Sequence, residues 1–144
     1  MKKIVICTNL DPASTKAIES LVDQDLLKDS QVELLHCFET QIYTGEYFIN
    51  YYPTEEQYPA IEGEVLEILA PLDKKLSSIA SVNSKCIFST NPKEEVKEFL
   101  NREKPDLLIV ATRGVTGFAG LFNSSFADYM LRHSPCDVLV LRPR

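Results

Sequence analysis

Five short apolar runs divide the chain: Ile4-Val5-Ile6-Cys7, Val32-Glu33-Leu34-Leu35-His36-Cys37-Phe38, Cys86-Ile87-Phe88, Leu107 to Ala111, and Val138-Leu139-Val140-Leu141. The first, fourth and fifth are almost unbroken and rich in Val, Ile and Leu, as suits strands buried on both faces of a parallel sheet. Between them the period changes to that of a helix. Asp11-Pro12 is a helix start, with Asp as N-cap and Pro at the first helical position, and Ile18, Leu21, Val22 and Leu26 follow at helical spacing. Asn91-Pro92 repeats the device, with Glu94 as the capping-box partner. Val96, Phe99 and Leu100 form the apolar face of that helix, and Pro105 stops it. From about Pro59 to Ile79, residues Ile61, Val65, Ile68, Leu69, Leu72, Leu76 and Ile79 keep helical spacing around Pro71. A proline inside a regular helix costs about 3 kcal/mol, which predicts a kink or a break near Ala70. Phe126, Tyr129, Met130 and His133 predict a last helix that ends at Ser134-Pro135. Strand and helix alternate and the chain ends on a strand, which implies an α/β fold with right-handed crossovers and helices on both faces of a parallel sheet.

Thr40 to Tyr58 breaks the pattern. It holds Tyr43, Tyr47, Tyr51, Tyr52 and Tyr58, five of the six tyrosines, together with Phe48. Two readings follow: a loop whose rings pack over a sheet or helix edge, or a lid or partner surface, since rigid aromatic rings are favoured at interfaces. Loops this long are uncommon unless functional or mobile.

Composition narrows the class. The 144 residues make one domain's worth of chain, expected as a single domain over 1–144, and 44% hydrophobic with 25% charged residues is ordinary for a globular protein. No apolar run approaches the roughly 18 residues that a membrane span needs, and the four apolar residues after Met1-Lys2-Lys3 are too few for a signal-peptide core. Fifteen basic residues against 21 acidic ones give a net charge of −6, which disfavours nucleic-acid binding through phosphate neutralisation. From Asp29 to Asp73 there are ten acidic residues and no Lys or Arg, whereas the last third carries Arg102, Arg113, Arg132, Arg142 and Arg144. An anionic ligand is therefore sought near the C-terminal third. Cys7, Cys37, Cys86 and Cys136 form no C-x-x-C pair and no His stands at zinc spacing from them, so they read as buried free thiols of a cytoplasmic protein.

In an open parallel sheet, ligands bind outside the carboxyl ends of the strands, where the strand order reverses. Two segments leave such ends: Thr8-Asn9-Leu10-Asp11 after the first strand, and Ala111 to Gly120 after the fourth. Of only five glycines in the chain, Gly114, Gly117 and Gly120 occupy the second segment, where they would let backbone N–H groups approach a ligand. The following helix is expected to start near Ser124-Ser125, and Arg113 adds a planar donor fork. Either a phosphate or other anion site, or a surface loop with serine caps, accounts for these residues. Neither a G-x-x-x-x-G-K-[ST] loop nor a G-x-G-x-x-G fingerprint is present. His133, in the last turn of a helix, and His36, within a strand, read as structural, and no catalytic residue or metal site stands out.

Ala111 to Arg142 resembles the C-terminal signature of the universal stress protein family, G-x2-G-x9-G-[ST] followed by a helix and a stretch like R-H-x-P-C-x-V-L-V. Arg132-His133-Ser134-Pro135-Cys136-Asp137-Val138-Leu139-Val140 fits without a gap, Lys3 to Asp11 is similar to the family's opening strand, and Leu34-Leu35-His36-Cys37 to its second. The resemblance implies an adenine nucleotide alpha hydrolase-like fold: a doubly wound open sheet of five parallel strands in the order 3-2-1-4-5. It implies ATP as ligand in the members that bind one, and here makes Thr8, Asn9, Cys37, Ala111, Thr112, Arg113, Gly114, Gly117, Ser124 and Ser125 candidate nucleotide- or anion-binding residues. It also implies a homodimer, often through the last strand, Val138, Leu139, Val140 and Leu141. Three positions depart from the pattern: Asn9 stands for Asp, Ala111 for the first glycine and Ser124 for the third, while Gly114 and Ser125 are kept. Asn9 lacks the charge, Ala111 needs negative φ, and Ser124 adds bulk where a phosphate oxygen would approach backbone. The expectation is a stress-response binding protein with a weakened or vestigial ATP pocket and no required cofactor; the alternative is a functional, slowly hydrolysing nucleotide site. A phosphoacceptor domain fails for want of acidic residues at Thr8-Asn9 and Ser89-Thr90, and the first loop imitates a flavin-phosphate loop poorly.

Overall fold

The central strand of the sheet is the first apolar run of the chain. In the computed structural model, which describes residues 1–112 and 119–142, β1 (Lys3–Cys7) is buried along Ile4, Val5, Ile6 and Cys7. Side chains alternate across a strand. Ile4 and Ile6 accordingly enter one apolar cluster and Val5 and Cys7 another. β2 (Gln31–Glu39) lies parallel to β1 on one side and β6 (Leu107–Ala111) on the other. β5 (Ser81–Ser89) and β7 (Asp137–Leu141) complete the sheet, in the order β5-β2-β1-β6-β7 with every pair parallel. Counting only the sheet's own strands, this is the order 3-2-1-4-5.

The helices cover both faces. α1 (Pro12–Glu19) and α2 (Tyr58–Leu76) bring Ile18, Val65, Leu69, Leu72 and Leu76 onto the Ile4–Ile6 face. α3 (Pro92–Glu103) and α4 (Ala119–His133) bring Val96, Phe99, Leu100, Ala127 and Met130 onto the Val5–Cys7 face. Each of these Val, Leu, Ile, Phe and Met side chains, fully buried, contributes roughly 1.5–3 kcal/mol of transfer free energy. Among the described residues, no helix is long and apolar enough to cross a membrane.

Local signals are met where they are purely local. Asp11 caps α1, its carboxylate accepting the Ser14 N–H at 3.0 Å. α3 ends at Glu103, just before Pro105, with Lys104 in the left-handed region at φ 50°.

Other elements correct the sequence expectations. α1 stops at Glu19, and Leu21, Val22 and Leu26 sit in two 3₁₀ turns, Ser20–Asp23 and Asp25–Leu27. β5 is longer than Cys86–Phe88 because its first half, Ser81 to Lys85, is a polar sheet edge with no apolar run to announce it. The Asn91–Glu94 capping box does not form: the Asn91 N–H goes to Ser89 Oγ, and Glu94 takes the hydroxyl of Tyr129 from α4. Of the kink or break expected near Ala70, the break does not occur: α2 runs continuously through Pro71, whose ring is exposed on the solvent side. α4 starts at Ala119, five residues before Ser124, so Gly120 and Ser124 lie within the helix. The Thr40–Tyr58 connection is not an irregular loop over a sheet edge. Most of it is a β-hairpin, β3 (Gln41–Thr44) antiparallel to β4 (Ile49–Tyr52), exposed along its whole length. Only Tyr58, already in α2, packs as expected, stacked on Phe88 with centroids 4.0 Å apart.

Candidate functional site

The order in which strands are added reverses between β1 and β6: the chain runs outward from β1 through β2 to β5, then crosses over to β6 and β7. Cys7 pairs in register with Val110, so Thr8 and Ala111 leave the sheet side by side at that switch point. This is where an open parallel sheet offers backbone to a ligand.

The first loop is held from several directions. Thr8 is buried, and its N–H donates to Leu35 O at 2.9 Å. The His36 ring Nδ1 lies 2.7 Å from Thr8 O, and since a carbonyl only accepts, Nδ1 carries the proton there. The Thr8 hydroxyl accepts the Leu10 N–H at 3.1 Å, turning the chain sharply enough that Leu10 sits at φ 68°. A bulky side chain in that region costs on the order of 1–3 kcal/mol and is sustained by these bonds and by the packing of Leu10 on the core.

Asn9 faces inward rather than standing as an isolated loop residue. Ser14 is fully buried, and its Oγ lies 2.6 Å from the Asn9 side-chain oxygen position and 2.5 Å from an Asp11 carboxylate oxygen. One hydroxyl has one proton. Both contacts are satisfied when the Ser14 hydroxyl donates to Asp11 and Asn9 presents its amide NH2 to Ser14 Oγ. The carboxylate of this loop thus belongs to Asp11, at the helix N-cap, and residue 9 supplies a neutral dipole.

On the β6 side, Ala111 is the last strand residue, buried, and is not among the non-glycine residues with positive φ, so its Cβ is accommodated. Thr112 is tied to β7: its N–H donates to Leu141 O at 3.0 Å and its hydroxyl to the same oxygen at 3.3 Å. Arg113, Gly114 and Gly117 lie outside the described residues, as does the side chain of Ser124. Ser125 is exposed, and the Lys93 ammonium donates to its hydroxyl at 2.5 Å. Sequence reading missed Lys93. Its only signal was a position just inside the Asn91-Pro92 helix start, and its tie to Ser125 depends on the packing of α3 beside α4.

Cys37, in β2, is half-buried, and burial followed by the charge of Glu95 pushes its thiol up to about 12, so it is an inert neutral thiol at physiological pH. The Cys86 thiol is likewise pushed up to about 11, mainly by burial, and that of Cys7 further still. All four cysteines are free. His36 is held below the ordinary histidine value by burial, with the Thr8 bond working in the other direction. His133 is exposed and stacks obliquely on Tyr129 at 4.6 Å. Among the described residues no three His, Cys, Asp or Glu side chains group as metal ligands, and no buried side-chain polar atom lacks a partner.

A model of the universal stress protein family matches residues 1–142. The chain is 24% identical over 146 aligned residues to universal stress protein MJ0531 of Methanocaldococcus jannaschii, covering 98% of this chain and 82% of that one. Among solved structures, it is similar to a universal stress protein in complex with cAMP (TM-score 0.67, 16% identity, 99% and 98% of the two chains covered). It is also similar to a universal stress protein family member from Arabidopsis thaliana with AMP bound (TM-score 0.66, 16% identity, 100% and 93% covered). At these identities the structural likeness is one of fold.

Proposed function

The chain belongs to the universal stress protein family, and from that premise we propose that it is a stress-response regulatory protein with a weakened adenine-nucleotide pocket at the carboxyl ends of β1 and β6. The observation that carries this reading is the Asn9–Ser14–Asp11 cluster. Residue 9, where the family pattern sets an acid, is a neutral amide turned onto a buried serine, and the nearest carboxylate caps α1 instead. The loop is built to hold a helix start. The AMP and cAMP carried by similar structures make an adenine nucleotide the ligand class to test.

Calorimetric titration with Mg-ATP and with AMP is the test. A dissociation constant weaker than about 100 μM, less than about 5.5 kcal/mol of binding, is the expected result. A low-micromolar constant would overturn the weakened pocket in favour of a working nucleotide site that hydrolyses ATP slowly. One observation favours that second reading: Lys93 brings a positive charge to Ser125, the retained hydroxyl of the family motif. It requires, in addition, that Lys93→Ala and Ser125→Ala each abolish tight binding and that phosphate is released from ATP in their absence.

Two further features belong to the proposal. The protein acts in the cytoplasm, consistent with four free thiols, Cys7 and Cys86 buried and Cys37 and Cys136 half-buried. It forms a homodimer through β7, an outer strand of the sheet carrying Val138, Leu139, Val140 and Leu141.

A further inference from the structure

We propose that the β3–β4 hairpin is a docking ribbon for a basic polypeptide segment of another protein, one that alternates aliphatic residues with Lys or Arg. Among the described residues, seven of the ten exposed large hydrophobic side chains fall between Ile42 and Tyr52, and Tyr47 is 90% exposed. Concentrated exposure of this kind marks an interaction surface.

The register shows what the ribbon presents. Ile42 stands opposite Tyr51 and Thr44 opposite Ile49, so these four share one face; Tyr43 opposite Asn50 and Gln41 opposite Tyr52 share the other. The first face is almost wholly apolar and nothing in the described fold covers it. Among the described residues the two strands pair only with each other, so each has an outer edge without a strand neighbour there. Neither strand carries a charged residue, although charge is the usual protection of such an edge. A lone two-stranded ribbon is marginal in water and gains stability from a third strand. An added strand would satisfy the free backbone edge and extend this apolar face, its aliphatic residues beside Ile42 when it joins β3 or beside Ile49 and Tyr51 when it joins β4.

Charge selects the occupant. Glu39, Glu46, Glu55 and Glu56 rim the ribbon, all exposed, in a stretch without Lys or Arg from Asp29 to Asp73. The ion pairs among the described residues are Lys3–Glu103 and Lys75–Glu19, so none of the four rim carboxylates is paired there. A cationic segment meets these carboxylates and also stacks its charges on the tyrosine faces. A second copy docking ribbon to ribbon would set one acidic rim against another, and phosphate-bearing surfaces meet the same repulsion.

Fluorescence anisotropy with labelled short peptides tests the proposal. A peptide alternating Val and Lys should bind the full chain, and matched peptides alternating Val with Glu, or Ser with Lys, should bind at least about tenfold more weakly. Ile42→Ser/Tyr51→Ser, and separately Glu46→Lys/Glu55→Lys, should each weaken the Val–Lys peptide by about tenfold or more. Neither pair of substitutions touches the two core clusters, so circular dichroism and the thermal midpoint should match the parent protein. Equal binding of the Val–Glu peptide, binding that survives both double variants, or no binding of the Val–Lys peptide would overturn the proposal. So would sedimentation showing that the ribbon instead drives self-association lost in Ile42→Ser/Tyr51→Ser.

Discussion

His36 makes the candidate site sensitive to pH through one hydrogen bond. Its Nδ1–H holds the Thr8 carbonyl, and burial keeps its folded pKa below the usual histidine value. The unfolded chain therefore takes up the proton first as pH falls. The stability contributed is fully present above the ordinary value of about 6.5 and is lost as pH drops through the folded value. Urea denaturation from about pH 7.5 down to about pH 5.5 should show stability declining, and His36→Gln should flatten that decline. A variant that loses stability as steeply as the parent would refute the assignment. Glu33 is shifted the opposite way, raised chiefly by burial, so its contribution is lost as pH rises; comparison with the variant isolates the histidine. The same scale explains why the site was only half legible. Asp11 and Pro12 act within one turn, and their role can be read from four letters. The burial of Ser14, and with it the inward turn of Asn9, follows only when α1 closes on the sheet.

At the scale of elements, Pro71 is the clearest test. α2 passes through it without a break, so the helix carries the missing N–H and the ring crowding on its exposed side while Val65, Leu69, Leu72 and Leu76 stay in the core. Tertiary packing outweighs the local penalty, which a reading of the isolated segment overestimates. Pro71→Ala should therefore stabilise the protein. The restored helical bond, up to about 3 kcal/mol, is partly offset by roughly 0.4–1 kcal/mol for the freer unfolded chain. A net gain of about 1–2 kcal/mol in urea denaturation is expected; a loss would show that the proline is matched to a bend. Legibility at this scale follows burial. The strands buried on both faces, such as Leu107–Ala111, announce themselves as apolar runs. Gln41–Thr44 and Ile49–Tyr52 do not, because strands exposed on both faces have no reason to alternate. The Asn91–Glu94 box was legible and yet did not form, since a hydroxyl from α4, 35 residues away in sequence, takes the carboxylate.

For the whole molecule, the two edges of the sheet differ in kind, and that difference decides how two copies could meet. β5 opens on Ser81, Asn83 and Lys85, a polar edge with a charge on it. β7 is Asp137 followed by four aliphatic residues, all half-buried, and no described element covers its outer side in the sheet. Backbone groups of alternate residues point to opposite sides of a strand. Leu141 O accepts the Thr112 N–H, so Leu141 and Leu139 face β6, and Val138 and Val140 direct their N–H and C=O groups outward. Proline is tolerated at an edge only where the N–H it removes faces solvent. Val140→Pro should therefore remove a dimer contact and leave the β6–β7 ladder whole, giving a folded monomer in sedimentation velocity with a stability loss of about 1 kcal/mol, chiefly from the altered half-buried side chain. Leu139→Pro should instead break the ladder and cost about 3 kcal/mol or more. A parent protein that sediments as a monomer at micromolar concentration, or a Val140→Pro variant that remains a dimer, would refute pairing through β7. The hairpin variant Ile42→Ser/Tyr51→Ser should keep the parent's mass, because the ribbon rises from the carboxyl end of β2, on the other side of β1 and β6 from this edge.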